Sequence, residues 1–450
     1  MSEWIKYKIG DLCEVGRGSS PRPINDHRYF EGGNIPWIKI ADATASAKYI
    51  YKTKEYVNDF GASFSRYLNP ESLIIAASGV SLGQIKFLGV KGCIHDGWLY
   101  TSDYDKKLSK EFLYYFLIFY STQFHNFSSG AAIQNINTEI LRNTIIPLPR
   151  IGIQKKIVSI LSAYDDLIEN NNQRIQLLEE MASEIYKEWF VRLRFPGYEN
   201  AVFKDKDGKV VDRESDGAFP DGWRKEQLRE HINFYRGKSY SSAELRDNEG
   251  LAMINLKNIQ RQGGFRLDGL KYFEGKYNIN NEAYSGDIVM AVTDMTQERE
   301  IVGRVALVPD MGIEKFIISM DLIRIEPVAL PKLYLYCFFR YSGIGLQLKE
   351  FANGANVLHL TPSLIEFQKA VIPPAAICEK FEELIKPMLS EIDVLNNKNQ
   401  VLQETRDLLL PRLISGKLSV EHLLNETNED KGTIRTAAES AAVYETKSIK

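Results

Sequence analysis

The feature that most constrains this fold is repetition. "WIKYKIGDLCEVGRGSS" begins at Trp4 and "WRKEQLREHINFYRGKSY" begins at Trp223. The pairs Trp4/Trp223, Ile9/Leu228, Arg17/Arg236 and Gly18/Gly237 all stand 219 positions apart. "WIKIAD" (37–42) echoes "MINLKN" (253–258), and "SLIIAASG" (72–79) echoes "DIVMAVTD" (287–294). "FLYYF" (112–116) returns as "YLYCF" (334–338), and "FSSGAAIQNIN" (127–137) returns as "FANGANVLHLT" (351–361). The order is kept while the offset drifts between 215 and 224 across these pairs. Such a period is far too long for a solenoid. It describes a tandem duplication with small insertions, so the 450 residues fold as two similar bodies rather than one core.

Each copy has two parts. The first is mixed: short apolar runs such as "SLIIAA" and "DIVMAV" read as strands punctuated by Gly, Asn, Asp and Pro. "KEFLYYFLIFYSTQFHNF" (110–127) reads as a helix with an aromatic face. "IIPLP" (145–149) and "AVIPP" (370–374) then read as strands ended by proline.

The second part of each copy is a long helix with a narrow apolar seam. In copy one the seam is Ile153, Ile157, Ile160, Tyr164, Leu167, Asn171, Ile175, Leu178, Ala182, Ile185 and Trp189. In copy two it is Ile377, Phe381, Leu384, Met388, Ile392, Leu395, Asn399, Leu402, Arg406, Leu409 and Leu413, with Pro387 placed to bend it. Both are heptad patterns with one extra step of four. A seam so narrow needs a partner helix, and the other copy supplies it. Antiparallel pairing brings Asn171 and Asn399 together near the middle, where a polar pair fixes register.

The expected fold class is therefore α+β: two similar mixed α/β domains joined by two long helices that form an antiparallel coiled coil, with pseudo-twofold symmetry. The expected boundaries are 1–149 for the first domain and 150–195 for the first spacer helix, with a connector at 196–222. The second domain follows at 223–375, the second spacer helix at 376–418, and a flexible polar tail at 419–450.

Composition narrows the function. The chain is 44% apolar and 26% charged with a net charge of −3, which excludes a uniformly basic nucleic-acid coat but allows local basic patches. Cys13, Cys93, Cys337 and Cys378 lie far apart, against a zinc site or a disulfide scaffold. The N-terminus has no apolar signal core, and the run "FLYYFLIFY" is far short of a membrane span, so a cytoplasmic location is expected.

Catalytic signatures are missing. "GRGSSP" (16–21) lacks the last Gly of a dinucleotide fingerprint, and no phosphate-loop, zinc-protease, nucleophile-elbow or kinase motif occurs. No [DN]PP[YF] segment of amino-methyltransferases is present either. His95–Asp96 in "CIHDGW" resembles part of a dyad, but copy two has Ile318–Ser319–Met320 there, so a structural or DNA-facing histidine is expected.

"IIPLPRIGIQKKIVSILSAYDDLIENNN" (145–172), "LLEEMASEIYKEWFVRLRFPG" (177–197), "FPDGW" (219–223), "VIPPAAICEKFEEL" (371–384) and "LLLPRLISGKL" (408–418) resemble the specificity (S) subunit of type I restriction–modification systems. The resemblance covers residues 4–418. The chain departs from the family where acidic residues usually precede the Gln of the first helix, having Gly152–Ile153, and where Cys378 replaces that Gln in copy two.

The resemblance implies two target-recognition domains that each read half of a split duplex DNA sequence. It implies a helical spacer that docks two methyltransferase (M) subunits and then restriction (R) subunits. The chain is then non-catalytic and binds no cofactor or metal; S-adenosylmethionine, ATP and Mg belong to partner subunits. The alternative is a non-catalytic coiled-coil scaffold whose paired domains bind another polymer.

Contacts to DNA are expected from polar residues at strand ends present in both copies. These are Arg17, Ser19, Ser20, Arg22, Lys39, Ser78, Gln84, Gln134 and Asn135 in copy one. In copy two they are Arg236, Lys238, Ser239, Lys257, Arg299, Arg304, Asn356 and His359, with Asn255 and Asp294 as further candidates. Gln84, Gln134 and Arg304 carry the chemistry for base choice, since Gln pairs with adenine and Arg with guanine.

Overall fold

The computed structural model describes residues 4–44, 46, 48–77, 82–127, 136–247, 249–295, 298–354 and 357–425. They divide into two compact units. The first comprises residues up to Glu169 together with those from Val401 onward; the second is Asn170–Gln400.

In the first unit a five-stranded sheet runs in the order Glu14–Arg17, Trp98–Ser102, Leu73–Ala76, Ile85–Leu88, Tyr49–Ile50. A four-stranded sheet runs Glu55–Val57, Ile35–Ile38, Gly92–Ile94, Arg66–Leu68. A ribbon pairs Ile5–Lys8 with Ile145–Leu148. The second unit repeats this plan. One sheet runs Ile232–Arg236, Leu322–Pro327, Ile288–Ala291, Val305–Leu307. The other runs Leu245–Arg246, Lys271–Phe273, Leu251–Ile254, Phe316–Ile318, Glu282–Ala283. The ribbon is Arg224–Gln227 with Lys369–Ile372.

Register shows how deep the repetition goes. Both second sheets are antiparallel except for one parallel pair. It joins Trp37 to Cys93 and Ile38 to Ile94 in the first unit, and Met253 to Ile317 and Ile254 to Ile318 in the second. The central strands Leu73–Ala76 and Ile288–Ala291 are buried at every position. Sheets covered on both faces favour continuous apolar runs over alternation.

The first long helix is Ile151–Tyr186, and a π turn at Lys187–Val191 continues it; the second is Ala375–Ile414, unbroken through Pro387 and Pro411. Residues of both enter the core of each unit. Ile157, Leu161, Leu410, Leu413 and Ile414 pack with Phe112 and Tyr115 in the first. Ala182, Tyr186, Phe190, Phe381 and Ile385 pack with Tyr334 and Trp223 in the second.

The predicted seam is off by one position at two places. Leu167 is 38% exposed while Ile168 is buried, and Leu384 is 41% exposed while Ile385 is fully buried. A helix turns 3.6 residues, not 3.5, so an apolar stripe drifts relative to a strict heptad count.

The connector at 196–222 contains short paired strands. Phe203–Lys204 pairs with both Val210–Val211 and Phe219–Pro220. The Asp205 carboxylate accepts from the amides of Asp207 (2.9 Å) and Lys209 (3.0 Å), and Gly208 takes φ +80°. An Asp-initiated turn closing at a left-handed glycine makes a hairpin that helical periodicity cannot reveal. Of the predicted tail, residues up to 425 are described and include a short helix at His422–Asn425.

Candidate nucleic-acid interface

Each unit carries an Arg-Gly turn at the end of the strand that pairs with Trp98–Ser102 or Leu322–Pro327. In the first, the Gly18 amide donates to Trp98 O at 2.8 Å; in the second, Gly237 donates to Leu322 O at 3.1 Å. A Cβ on Gly18 would lie 2.1 Å from His95 O, and one on Gly237 would lie 1.9 Å from Ser319 O. The backbone passes so close to a carbonyl that only glycine fits. These contacts place His95 opposite Ser319, and Asp96 opposite Met320.

The side chains around the two turns are held differently. Arg17 Nε donates to Asp96 O at 2.8 Å, the Asp96 amide donates to Ser20 Oγ at 3.1 Å, and Arg22 makes an ion pair with the Asp96 carboxylate. Arg17, Ser20 and Arg22 are thus gathered around one residue, with Ser19 half-buried between them. His95 Nδ1 accepts from the Gly97 amide at 2.9 Å. Burial lowers its pKa more than Asp96, 3.1 Å away, can raise it. The ring packs 5.5 Å from the Trp37 ring and buttresses the turn through its bond to the Gly97 amide.

In the second unit the backbone does this work. Lys238 N donates to Ile318 O at 2.7 Å, and Met320 N donates to Lys238 O at 2.9 Å. Arg236 and Ser239 are exposed and Lys238 half-exposed. No ion pair holds Arg236 or Lys238 among the described residues.

A second pair of candidates proves equivalent. Ala76 N donates to Gln84 O at 2.8 Å, and Ala291 N donates to Arg304 O at 3.0 Å. The preceding Gly83 and Gly303 take φ +78° and +79°. Gln84 and Arg304 therefore occupy the same hairpin position. Gln84 Oε1 is buried without a hydrogen-bond partner. Arg304 is half-buried, donates from Nε to Glu300 O at 3.2 Å, and has its pKa lowered by burial and by Arg340. A buried polar atom left unpaired costs about 1–3 kcal/mol, so such positions call for a ligand or another reason.

The other candidates are dispersed. Lys39 pairs with Glu55 and lies over the Trp37 ring at 5.1 Å. Lys257 is exposed. Arg299, at φ +54°, pairs with Glu350 at 3.2 Å. His359 is exposed and sits opposite Thr293 in a two-residue ladder.

Two further candidates are corrected. Asn255 is buried, donating to Gly269 O at 2.7 Å and accepting from Lys257 N at 3.0 Å. Asp294 is buried too, its carboxylate accepting from the amides of Ile301 (2.7 Å) and Val302 (3.2 Å). Both shape loops, and short polar side chains commonly bind nearby backbone in this way. Ser78, Gln134, Asn135 and Asn356 lie outside the described residues.

On the long helices, within the second unit, Asn171 Nδ2 donates to Asn399 Oδ1 and Asn399 Nδ2 donates to Asn172 Oδ1, both at 2.9 Å. Arg174 pairs with Glu391 at 2.9 Å. In the first unit, the seam residue Arg406 donates to Asp165 Oδ1 at 2.7 Å, while Tyr115 donates to Asp165 Oδ2 at 2.5 Å.

Sequence reasoning missed a basic cavity in the second unit, where Arg304 meets Arg340 and Lys187 beside Gly263. Its only signal was a lone arginine in the aromatic helix "KLYLYCFFRY" and a Gly-Gly pair at 263–264. The four thiols offer no nucleophile: burial raises Cys93 to about 11, Cys13 and Cys378 to about 12, and Cys337 further still. Among the described residues, no cluster of three His, Cys, Asp or Glu could hold a metal, and no helix is long and apolar enough to cross a membrane.

Residues 1–180 match the family model of the type I restriction modification DNA specificity domain. Over 438 residues the chain is 28% identical to the type I restriction enzyme MjaIX specificity subunit of Methanocaldococcus jannaschii, covering 94% of this chain and 95% of that protein. The MjaVIII specificity subunit of the same organism is 23% identical over 440 residues, covering 94% of each. The crystal structure of a type I restriction–modification S subunit from M. genitalium superposes with a TM-score of 0.53 at 16% identity, over 91% of this chain and 96% of that one. That likeness is one of fold.

Proposed function

We propose that this chain, a member of the family of type I restriction–modification specificity subunits, gives such a complex its DNA sequence specificity. Each strand-rich unit reads one half of a split duplex target, and the two long helices set the spacing and dock the methyltransferase and restriction subunits. The observation that carries this reading is the Arg-Gly turn, built twice on the same strand pairing but surrounded by different side chains. A shared frame with different polar groups is what two readers of different half-sites require.

The contact set divides by chemistry. Arg17, Arg22, Arg236, Lys238, Lys39 and Lys257 offer cations to phosphates. Ser19, Ser20, Ser239, Gln84, Arg299, Arg304 and His359 offer groups for bases or phosphates, as do Ser78, Gln134, Asn135 and Asn356.

The helices act as an antiparallel coiled-coil spacer relating the two domains by a pseudo-twofold. This is supported by the contacts inside each unit: partners of residues 165, 171 and 174 fall at 406, 399 and 391, descending as the first helix ascends. Helices of 36 and 40 residues extend roughly 54–60 Å at 1.5 Å per residue, room for half-sites about one DNA turn apart. The chain itself catalyses nothing; S-adenosylmethionine, ATP and Mg act on the partner subunits.

The test is selection of duplexes from a random pool by the chain assembled with methyltransferase subunits. A split sequence with a fixed gap should be enriched. Arg236→Ala with Lys238→Ala should weaken binding and lower the salt slope by about two. A complex that enriches no sequence sinks the reading.

A further inference from the structure

The basic cavity of the second unit enters the reading above through Arg304 alone, as a DNA contact. It measures about 240 Å³ and is lined by Lys187, Arg304, Arg340, Gln262, Gly263 and Ser183 among others, with no carboxylate in the lining. Pockets for drug-sized ligands run from about 300 Å³ upward, so this one suits a small ion or the end of a larger molecule.

Arg340 is the anchor. Its side chain is 5% exposed, and Glu179, its one carboxylate partner among the described residues, binds Nη2 at 2.6 Å. Nη1 is buried with no hydrogen-bond partner. Two glycines with left-handed backbone lie against Nη1, Gly263 at φ +84° in the cavity lining and Gly264 at φ +91° next to it. A Cβ on either would come within 2.7 or 3.0 Å of Nη1. Gly264 is fixed by the hydrogen bond that its amide donates to Val305 O at 2.8 Å. Arg304 brings a second half-buried guanidinium, close enough to Arg340 for the two charges to repel. Lys187 adds a third cation from the first long helix, partnered by Glu184 at 2.8 Å.

Two guanidiniums presenting donors into a small space without a counter-charge match the fork geometry that binds oxyanions. Among the described residues, Glu179 and Glu184 meet these cations without lining the cavity. Copy one does not repeat the feature: Gln84 stands in place of Arg304, and the matching helix Lys110–Phe127 contains no arginine.

We propose that this cavity is a phosphate-binding site, specific to the second unit, in which Arg304 and Arg340 hold the oxygens of one phosphate group and Lys187 balances its charge. A phosphate of the DNA backbone and a free phosphate or phosphorylated metabolite present the same chemistry.

The experiment uses the full chain with inorganic phosphate, against sodium chloride at matched ionic strength. Phosphate should raise the thermal midpoint of the wild type in a saturable way. Arg304→Gln and Lys187→Gln, which leave the Arg340–Glu179 pair in place, should each raise the phosphate concentration needed for half the effect by tenfold or more. No saturable shift in the wild type, or the same shift in both variants, overturns the proposal.

A second arm identifies the source. If Arg304→Gln lowers the salt slope of duplex binding by about one, the group is a DNA phosphate; an unchanged slope assigns the site to a free phosphate. The first arm needs no DNA, so it stands or falls apart from the specificity reading, which the wild type's duplex selection tests.

Discussion

The two units share a frame and differ in how they fasten things to it. In the first, the turn after Arg17 is tied down by side chains, with Asp96 gripping Arg17, Ser20 and Arg22. In the second, Met320 stands in that place and the backbone of Lys238 makes the connections, leaving Arg236 and Lys238 to solvent.

The start of the long helices shows the same exchange. Gln154 is fully buried. It accepts from Ser109 N at 2.8 Å and donates to Lys107 O at 2.7 Å and Pro149 O at 2.8 Å. Its counterpart Cys378 can do none of this, and Glu382, one helical turn later, accepts from Leu333 N at 2.6 Å instead. A duplicated fold keeps its strand register and buried volume, while each polar anchor drifts to whichever nearby residue can reach the same amide. The lesson is that backbone crossings mark equivalence between the copies better than side-chain identity does.

The strongest way to break that equivalence is at Gly18 and Gly237. A methyl group there meets a carbonyl oxygen that the strand pairing holds still. Gly18→Ala and Gly237→Ala should each destabilise their own unit by about 3 kcal/mol or more, since backbone cannot relax as a side chain can. Urea unfolding with hydrogen exchange resolved by unit would measure both. Losses that differ by more than about 1 kcal/mol would show that the crossings are not the same structure.

The next effect belongs to the second unit alone. Burial, with help from Asp310, raises the Asp393 carboxyl to about 6. The folded state then binds the proton more tightly than the unfolded state, so this group favours folding below about pH 4. That contribution is lost as pH rises through about 6. A shift of about two units is worth about 3 kcal/mol, and partial exposure reduces this to about 2. Asp393→Asn should therefore stabilise the second unit by about 2 kcal/mol at pH 7–8 and leave it unchanged near pH 4. Equal effects at both pH values would remove titration as the cause.

These anchors mark where the sequence could and could not be read. The duplication, the buried strands at 73–76 and 288–291, and the two long helices were legible because apolar periodicity and repeated spacing report burial directly. The 196–222 hairpins were not, because two-residue strands carry no period and their signal is an aspartate turn. Asn255 and Asp294 looked like binding groups because polarity does not say whether a side chain faces solvent or its own loop. The Arg304–Arg340 cavity was invisible for a related reason: 36 positions separate the two arginines, and only the packing of helix on hairpin joins them.

A smaller test concerns the asparagines of the helices. Replacing Asn171 alone by Leu leaves Asn399 a buried amide with one partner fewer, at a cost of about 1–2 kcal/mol. Replacing both Asn171 and Asn399 by Leu should recover that loss or more, but should loosen the register, because an apolar seam accepts slipped pairings. Cysteines at 171 and 399 should form a disulfide under mild oxidation in the otherwise native chain. A double mutant no more stable than the single one would mean that the amide pair is not the element setting stability there.

The smallest change in stability should come from making the first unit resemble the second. Asp96→Met copies the residue at Met320 and removes an ion pair whose arginine is 67% exposed, so the loss should stay below about 1 kcal/mol. Arg22 then loses its carboxylate and Arg17 keeps only a backbone acceptor at position 96. If the clamp aims these arginines at one half of the target, that half should lose sequence preference while the other half keeps it. The salt slope should steepen by up to about one as Arg22 becomes free to meet a phosphate. Selection from a random duplex pool reads both effects at once. An unchanged preference at both halves would mean that the Asp96 clamp supports the turn without orienting a reader.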